Sequence, residues 1–169
     1  MTTMTLPAVH SAADAPREPV LDRAALGRLV TDFYADVRQD PLLKPVFEPV
    51  VGDHWSPHLQ RMTDFWSTAM LGSKSFRGNV YAKHVALTHT TAVGPEHFLR
   101  WITLWHRHTA GRFAEPVVQE LRRTAEGIGR NLFFGMFGSF ARFVFEDGVA
   151  VAYEPTPPLF SQTSKESLK

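Results

Sequence analysis

Apolar residues recur at three- and four-residue steps over four long stretches of the chain, a spacing that places them on one face of an α-helix. The first helix is predicted over Leu21–Arg38, and the second from Asp53 or Ser56 to Met70 or Leu71. The other two are predicted to start at Pro95 and at Glu115-Pro116, because proline is favoured in the first turn of a helix. The predicted inward positions are Leu26, Leu29, Val30, Phe33, Tyr34, Val37, Trp55, His58, Met62, Phe65, Trp66, Ala69, Phe98, Trp101, Ile102, Trp105, Val117, Val118, Leu121, Ala125, Ile128, Leu132, Phe133 and Met136.

Prolines and glycines separate these helices. Pro41, Pro45 and Pro49 lie four residues apart, and proline lacks the N–H of a helical hydrogen bond. Only a short 3₁₀ turn followed by a loop is therefore predicted there. Ser56, which precedes a proline, is predicted to cap the second helix, and Gly72 is predicted to end it.

The pattern changes after Ser139, where apolar and polar residues alternate. Asp147-Gly148 then stands between two runs of β-forming residues, which is typical of a hairpin turn. A small β-hairpin packed on the helices is predicted, and a continuation of the fourth helix to about Phe145 is the alternative.

The length of 169 residues is that of one helical domain, which is predicted over residues 21–138. Residues 1–20 have no periodicity and are rich in Thr, Ala and Pro, so a flexible N-terminal arm is predicted. Residues 139–169 form a C-terminal extension that is predicted to be disordered from Pro155 onward.

The composition excludes several kinds of site. The chain has no cysteine, which excludes disulfides, thiolate metal ligands and a cysteine nucleophile. The formal net charge is +1, and no run of Lys and Arg indicates binding to nucleic acid or to a membrane surface. No apolar stretch is long enough to span a bilayer, and the N-terminus lacks the pattern of a secretory signal. A cytoplasmic protein is therefore expected.

His84 lies within a short apolar segment, Val80–Leu87, that follows a loop containing Gly78 and Asn79. A histidine among apolar residues either hydrogen-bonds to a neighbour or binds a metal, and the first is the commoner case. The chain also contains 13 Phe and 4 Trp, and aromatic residues make up 12% of it. Such a content is compatible with a pocket for a large, flat, apolar ligand, and equally with a core rich in Phe.

The helices and their motifs together resemble the truncated haemoglobins, specifically the third group, over roughly Leu21 to Gly138. No Gly-Gly pair occurs in the sequence, whereas the other two groups typically carry paired glycines in their loops. The motifs are Phe33-Tyr34-x-x-Val37-Arg38-x-Asp40, Trp55-x-x-His58 followed by Phe65-Trp66 and Leu71-Gly72, Lys83-His84-x-x-Leu87, and Phe98-x-x-Trp101-x-x-Leu104.

This resemblance implies an all-α, two-on-two helical sandwich around haem b, with His84 as the proximal ligand of the iron. Tyr34, His58 and Trp101 correspond to distal residues that face a bound diatomic ligand. The cofactor-binding residues that the resemblance implies are Phe47, His58, Phe65, Trp66, Tyr81, His84, Leu87 and Trp101. The extension at residues 139–169 departs from the family pattern.

The implied function is reversible binding of oxygen, nitric oxide and carbon monoxide. Two hydrogen-bond donors, Tyr34 and Trp101, would retain oxygen strongly, which suits nitric oxide or peroxide chemistry better than bulk storage or oxygen transport. No nicotinamide motif is present, so the electrons would come from a separate reductase.

Two alternatives come from other classes of protein. His54 and His58 lie four residues apart and could bind a metal with a distant carboxylate in a non-haem helical metalloprotein, although Pro57 lies between them. The chain could also be a cofactor-free interaction module whose extension binds a partner. His106 and His108 lie two residues apart, so both are expected to be solvated.

Overall fold

The computed structural model describes residues 17–156, and most of the predicted 1–20 arm and the end of the extension lie outside these residues. Within them the chain forms six helices and one two-stranded antiparallel sheet. The elements are α1 (Arg23–Val37), α2 (Lys44–Val51), α3 (Trp55–Leu71), α4 (Val80–Leu87), α5 (Pro95–Thr109), α6 (Glu115–Phe137), β1 (Phe140–Glu146) and β2 (Val149–Thr156).

The predicted helical class is confirmed, and local signals explain most helix ends. The Asp22 side chain accepts a hydrogen bond of 2.8 Å from the Ala25 N–H at the start of α1. Pro95 and Glu115 are the first residues of α5 and α6. Gly72 ends α3 with a φ of 66°, in the left-handed region that glycine adopts without strain.

The prediction of a 3₁₀ turn and a loop after Pro41 is wrong, because residues 44–51 form the helix α2. Pro41 lies outside this helix, and Pro45 occupies its first turn, where the N–H has no helical acceptor. Only Pro49 removes a helical hydrogen bond, and a two-turn helix tolerates that loss.

The predicted cap at Ser56 is also wrong. The helix α3 begins one residue earlier, at Trp55, with His54 in the capping position and no side-chain cap. Pro57 still lies within the first turn of α3, where proline is tolerated because its missing N–H has no helical acceptor. Only the first residue of the helix was predicted wrongly.

The core lies where α1 packs against α3 and α5, and where α5 packs against α6. The Trp66 ring from α3 stacks on the Trp105 ring from α5, with ring centroids 4.2 Å apart and planes 14° apart. The Trp105 Nε1 donates a hydrogen bond of 3.2 Å to the Leu121 carbonyl of α6, so the deepest indole leaves no polar atom unsatisfied. The largest fully buried side chains are Leu26, Leu29, Val30, Phe33, Val37, Leu43, Ile102, Leu104, Trp105, Val118, Leu121 and Phe133.

The short helix α4 is held against α6 at Gly135. A Cβ added to this glycine would lie 2.6 Å from the Tyr81 ring and 2.8 Å from Val85. The glycine therefore lets the two helices approach closely. The structure describes all eight residues of α4, and none of them is buried. The contact at Gly135 therefore contributes much of the packing of α4.

We expect Gly135→Ala to lower the free energy of unfolding by about 1–2 kcal/mol, because overpacking outweighs the better helix propensity of alanine. The matched control is Gly127→Ala on the same helix, where an added Cβ meets nothing within 4 Å. That change should raise the free energy of unfolding by roughly 0.5–1 kcal/mol. Urea titrations of both variants measure the difference, and equal effects would contradict a close α4–α6 contact.

The predicted hairpin is confirmed, and the continued helix is not formed. The chain leaves α6 at Gly138 with a φ of 77°, and Asp147 and Gly148 take φ angles of 48° and 78° in the turn. The strand β2 continues through Thr156, so Pro155 and Thr156 are ordered, contrary to the prediction of disorder from Pro155. The remaining predicted disorder, residues 157–169, lies outside the described residues.

The hairpin packs on the outer side of α5 and α6. The Ala150 N–H donates a hydrogen bond of 2.9 Å to the Thr103 hydroxyl of α5. Phe145 stacks on His106 with ring centroids 4.3 Å apart, and Tyr153 contacts Phe133 at 4.9 Å. The hairpin is thus integrated with the helical domain.

Residues 17–20 of the predicted arm are described, and Glu18 among them is attached to the domain. Its carboxylate accepts two hydrogen bonds of 2.7 Å from Arg28, and its N–H donates to the Arg112 carbonyl at 2.6 Å. The hydrogen bond from Arg28 lowers the pKa of Glu18 below its usual value. The buried Arg112 guanidinium also pairs with Asp32 at 2.8 Å.

The expectation that His106 and His108 are solvated is wrong. His106 is 7% exposed, and its Nε2 lies 2.9 Å from the Glu126 carboxylate. The His108 Nε2 lies 2.8 Å from the Asp36 carboxylate of α1. Each imidazole ring therefore has an acidic partner on another helix. The two-residue spacing of His106 and His108 in the sequence could not reveal these partners.

Candidate functional site

The site is built around His84 on α4. Asn79 caps this helix, its side chain accepting a hydrogen bond of 2.8 Å from the Ala82 N–H. The His84 Nδ1 lies 2.8 Å from the Val80 carbonyl, and since a carbonyl only accepts, Nδ1 carries the proton. Burial lowers the pKa of His84, an effect that the hydrogen bond to Val80 partly opposes. A neutral ring with Nδ1 protonated has a lone pair on Nε2, as a metal ligand requires.

Tyr34 projects from α1 into a group of aromatic rings. It is 6% exposed, and its ring lies 5.0 Å from Phe33, 6.0 Å from Phe47 and 5.4 Å from His58 between centroids. Burial raises the pKa of Tyr34, so the phenol stays protonated at neutral pH and can donate a hydrogen bond.

His58 lies on α3 beside Tyr34, and its Nε2 is buried without a hydrogen-bond partner among residues 17–156. Burial lowers the pKa of His58, and the nearby charges of Arg61 and His84 lower it further. A buried polar atom without a partner is costly, which indicates that a ligand completes the site.

Trp101 on α5 joins the same group through Phe33, whose ring lies 5.5 Å from the Trp101 ring and 5.0 Å from the Tyr34 ring. The structure thus places Tyr34 beside His58, and Phe33 connects Tyr34 to Trp101.

The other residues predicted to bind the cofactor differ in burial and in their contacts. Phe47, Phe65 and Leu87 are half-buried, and Trp66 is stacked on Trp105. Tyr81 is 44% exposed, and its ring packs against Gly135 on α6.

Two further residues lie near the site although the sequence did not predict them as site residues. Trp55 is buried with its Nε1 unpaired within the described chain, and its ring lies 5.7 Å from His58 and 6.0 Å from Tyr34. Arg61, one turn after His58, carries a positive charge near the same group. The signal for Trp55 was its place three residues before His58, because residues at that spacing share a helix face.

The residues present fit a large, flat, apolar cofactor that carries a metal. His84 offers one nitrogen lone pair, and His58 and Trp55 offer buried polar atoms that have no hydrogen-bond partner among residues 17–156. Apolar side chains from α2, α3, α5 and α6 also remain half-buried although they pack against the core. These side chains are Phe47, Leu59, Met62, Phe65, Met70, Leu99, Trp101 and Ile128.

A site made of several protein ligands finds less support. In the part of the chain that the structure describes, no three His, Cys, Asp or Glu side chains are grouped as a metal would require. His54, the predicted partner of His58 in the non-haem alternative, caps α3 and is exposed. Among residues 17–156, no helix combines the length and apolar character needed to cross a bilayer.

Comparison with known proteins finds similarity to one group. The Group 3 truncated hemoglobin ctb of Campylobacter jejuni subsp. jejuni serotype O:2 is 29% identical over 70 residues, which are 40% of this chain and 55% of that protein. The match thus spans about half the length of that relative. The crystal structure of a group III truncated haemoglobin from Campylobacter jejuni superposes with a TM-score of 0.66 and 22% identity, covering 72% of this chain and 95% of that one.

No family model matches the chain. The two similarities nevertheless confirm the predicted resemblance to group III truncated haemoglobins, and the chain has the truncated globin fold.

Proposed function

We propose that the chain binds haem b, with His84 as the proximal ligand of the iron, and that it takes up oxygen and other diatomic gases on the opposite side. Bound haem supplies an iron with one open coordination position. The observation that carries this proposal is the state of His84, whose Nδ1–H donates to the Val80 carbonyl and leaves Nε2 free.

The hydrogen bond to Val80 has a second effect. It holds the imidazole plane in one orientation, and a ligand ring with a fixed orientation loses less entropy on binding. Because Val80 lies on the same helix as His84, any shift of α4 moves the ring and its acceptor together.

The polar groups near Tyr34 would act on the gas ligand. A neutral phenol donates a hydrogen bond to a ligand that carries partial negative charge, as oxygen does when bound, and carbon monoxide carries less. The Trp101 and Trp55 indoles can only donate, so both favour the same kind of ligand. His58 can donate or accept through Nε2, according to its tautomer.

Strong retention of oxygen suits redox turnover of nitric oxide or peroxide better than storage or transport. The electrons for such turnover would come from a separate reductase, and the cytoplasm is the proposed location. The exposed Arg61 side chain, one turn after His58, is a candidate partner for the carboxylates of the cofactor.

Titration of the full chain with ferric haem tests the proposal. We expect saturation at one haem per chain, a strong Soret band, and a further shift of that band when carbon monoxide is added after reduction. A colourless protein that holds zinc or iron would instead support the non-haem alternative. A colourless, metal-free protein that copurifies with a partner would support the interaction module.

A further inference from the structure

Beside the site, three indole rings form one nearly parallel series. Trp101 and Trp105 lie four residues apart on α5, so they share a helix face, and their planes are 1° apart with centroids separated by 6.0 Å. The Trp105 ring then stacks on Trp66 of α3 at 4.2 Å. Phe33 contacts the edges of both α5 indoles, at 5.5 and 5.2 Å.

The inner two rings are shielded from water. Trp105 is 0% exposed and Trp66 is 3% exposed, whereas Trp101 is only half-buried and belongs to the distal group. An oxidant in the pocket therefore reaches the inner rings only by electron transfer through Trp101 or a neighbouring ring.

We propose that the stacked pair Trp66–Trp105 is an internal one-electron donor to the pocket, connected to it through Trp101. Overlap of two indole π systems at van der Waals distance raises the highest filled level of the pair above that of a single indole. The pair therefore gives up an electron more easily than Trp101 or Tyr34. The chain has no cysteine, so no thiol competes as the donor.

The hydrogen bond of Trp105 determines what happens after the electron leaves. Indole loses its N–H proton readily once oxidised, but the acceptor here is the Leu121 carbonyl, a very weak base. The proton stays on Trp105, the hole remains a radical cation shared with Trp66, and it can be refilled without a proton returning to a dry core.

The oxidant that we name is hydrogen peroxide, and the final donor is a small phenol. One peroxide accepts two electrons and two protons, its O–O bond breaks, and two waters form. The stack delivers the two electrons singly, and each hole is refilled by one phenol, which becomes a phenoxyl radical and releases one proton. Protons and electrons balance over two such steps.

The first test of this inference rests on the proposed function, because it needs the haem-loaded protein. The haem-loaded full chain is mixed with hydrogen peroxide without phenol and frozen for electron paramagnetic resonance, and peptides are mapped for oxygen addition. We expect a tryptophan radical with spin shared by two rings, and oxygen addition at Trp66 or Trp105. The variants Trp105→Phe and Trp66→Phe should each lose the shared signal, and oxygen addition should move to Trp101 and Tyr34.

The matched control is Tyr153→Phe, which removes an oxidisable phenol of the hairpin, outside both the stack and the site, and should keep the shared signal. Circular dichroism establishes that each variant is folded. The same radical and the same oxidised peptides in Trp105→Phe and the unaltered chain would overturn the proposal. Failure of haem binding would be visible beforehand as a missing Soret band.

A second measurement needs no cofactor. A one-electron oxidant generated by a light flash in solution oxidises the full chain, and the absorption of the indole radical cation is followed in time. We expect a long-lived radical cation that is lost in both Trp66→Phe and Trp105→Phe. A radical of equal yield and lifetime in the variants would reject the stacked pair as the donor.

Discussion

His84→Ala is expected to abolish five-coordinate haem binding. The structure offers no second imidazole on α4, and His58 lies on α3, packed against Tyr34 of α1. The variant should purify colourless, or with a Soret band and carbonyl spectrum that show a different ligand. Absorption spectra of the ferrous and carbon monoxide forms measure this outcome.

The control for this substitution is His89→Ala, which removes an exposed histidine just beyond α4. It should leave both spectra unchanged. Imidazole added to His84→Gly provides a rescue, because a free ring can occupy the vacated space and supply the missing nitrogen. Unaltered ferrous and carbonyl spectra in His84→Ala would remove His84 from its proposed role.

Tyr34→Phe is expected to speed the release of oxygen about tenfold or more, because a net hydrogen bond contributes about 1–1.5 kcal/mol. The phenol is buried and its pKa is raised, so it is a permanent donor across the neutral pH range. The release of carbon monoxide should change much less. Flash photolysis and rapid mixing give both rates.

Tyr153→Phe is the matched control, since it removes a phenol from the hairpin that contacts Phe133 instead of the distal group. Its oxygen release should equal that of the unaltered chain. Equal acceleration of oxygen and carbon monoxide release in Tyr34→Phe would show that the substitution opens the pocket sterically, and the donor role would be wrong.

The sequence was a good guide where local rules decide the structure. The spacing of apolar residues correctly predicted α1, α3, α5 and α6, and the Asp147-Gly148 turn correctly predicted the hairpin. Helix propensity and turn chemistry act over a few residues, so they can be read from neighbouring positions.

The errors arose where residues distant in sequence decide the outcome. His108 pairs with Asp36 of α1, 72 residues away, and no local pattern shows that partner. The unpaired Nε1 of Trp55 and the close approach at Gly135 likewise depend on how helices pack. The helix α2 was missed for a different reason, since each proline was counted as a breaker without regard to its position in the turn.

Within the site, residue type suggested roles but not orientation. Tyr34 and His58 lie side by side, Trp101 is linked to Tyr34 through Phe33, and their distal roles stay predictions. The ring of Tyr81 packs on Gly135 of α6, and its place beside the cofactor stays a prediction. A two-turn helix presents its side chains in all directions, so the register of α4 against α6 had to be known first.

Under the proposed function, the exposure of α4 would link folding to the supply of cofactor. A ligand that binds only the folded state adds RT ln(1 + [L]/Kd) to its stability, and a coordinate bond from His84 would deliver that gain through the least buried helix. Cells short of iron would then contain a chain whose proximal segment opens and is degraded sooner. Protein abundance would follow haem availability without any dedicated sensor.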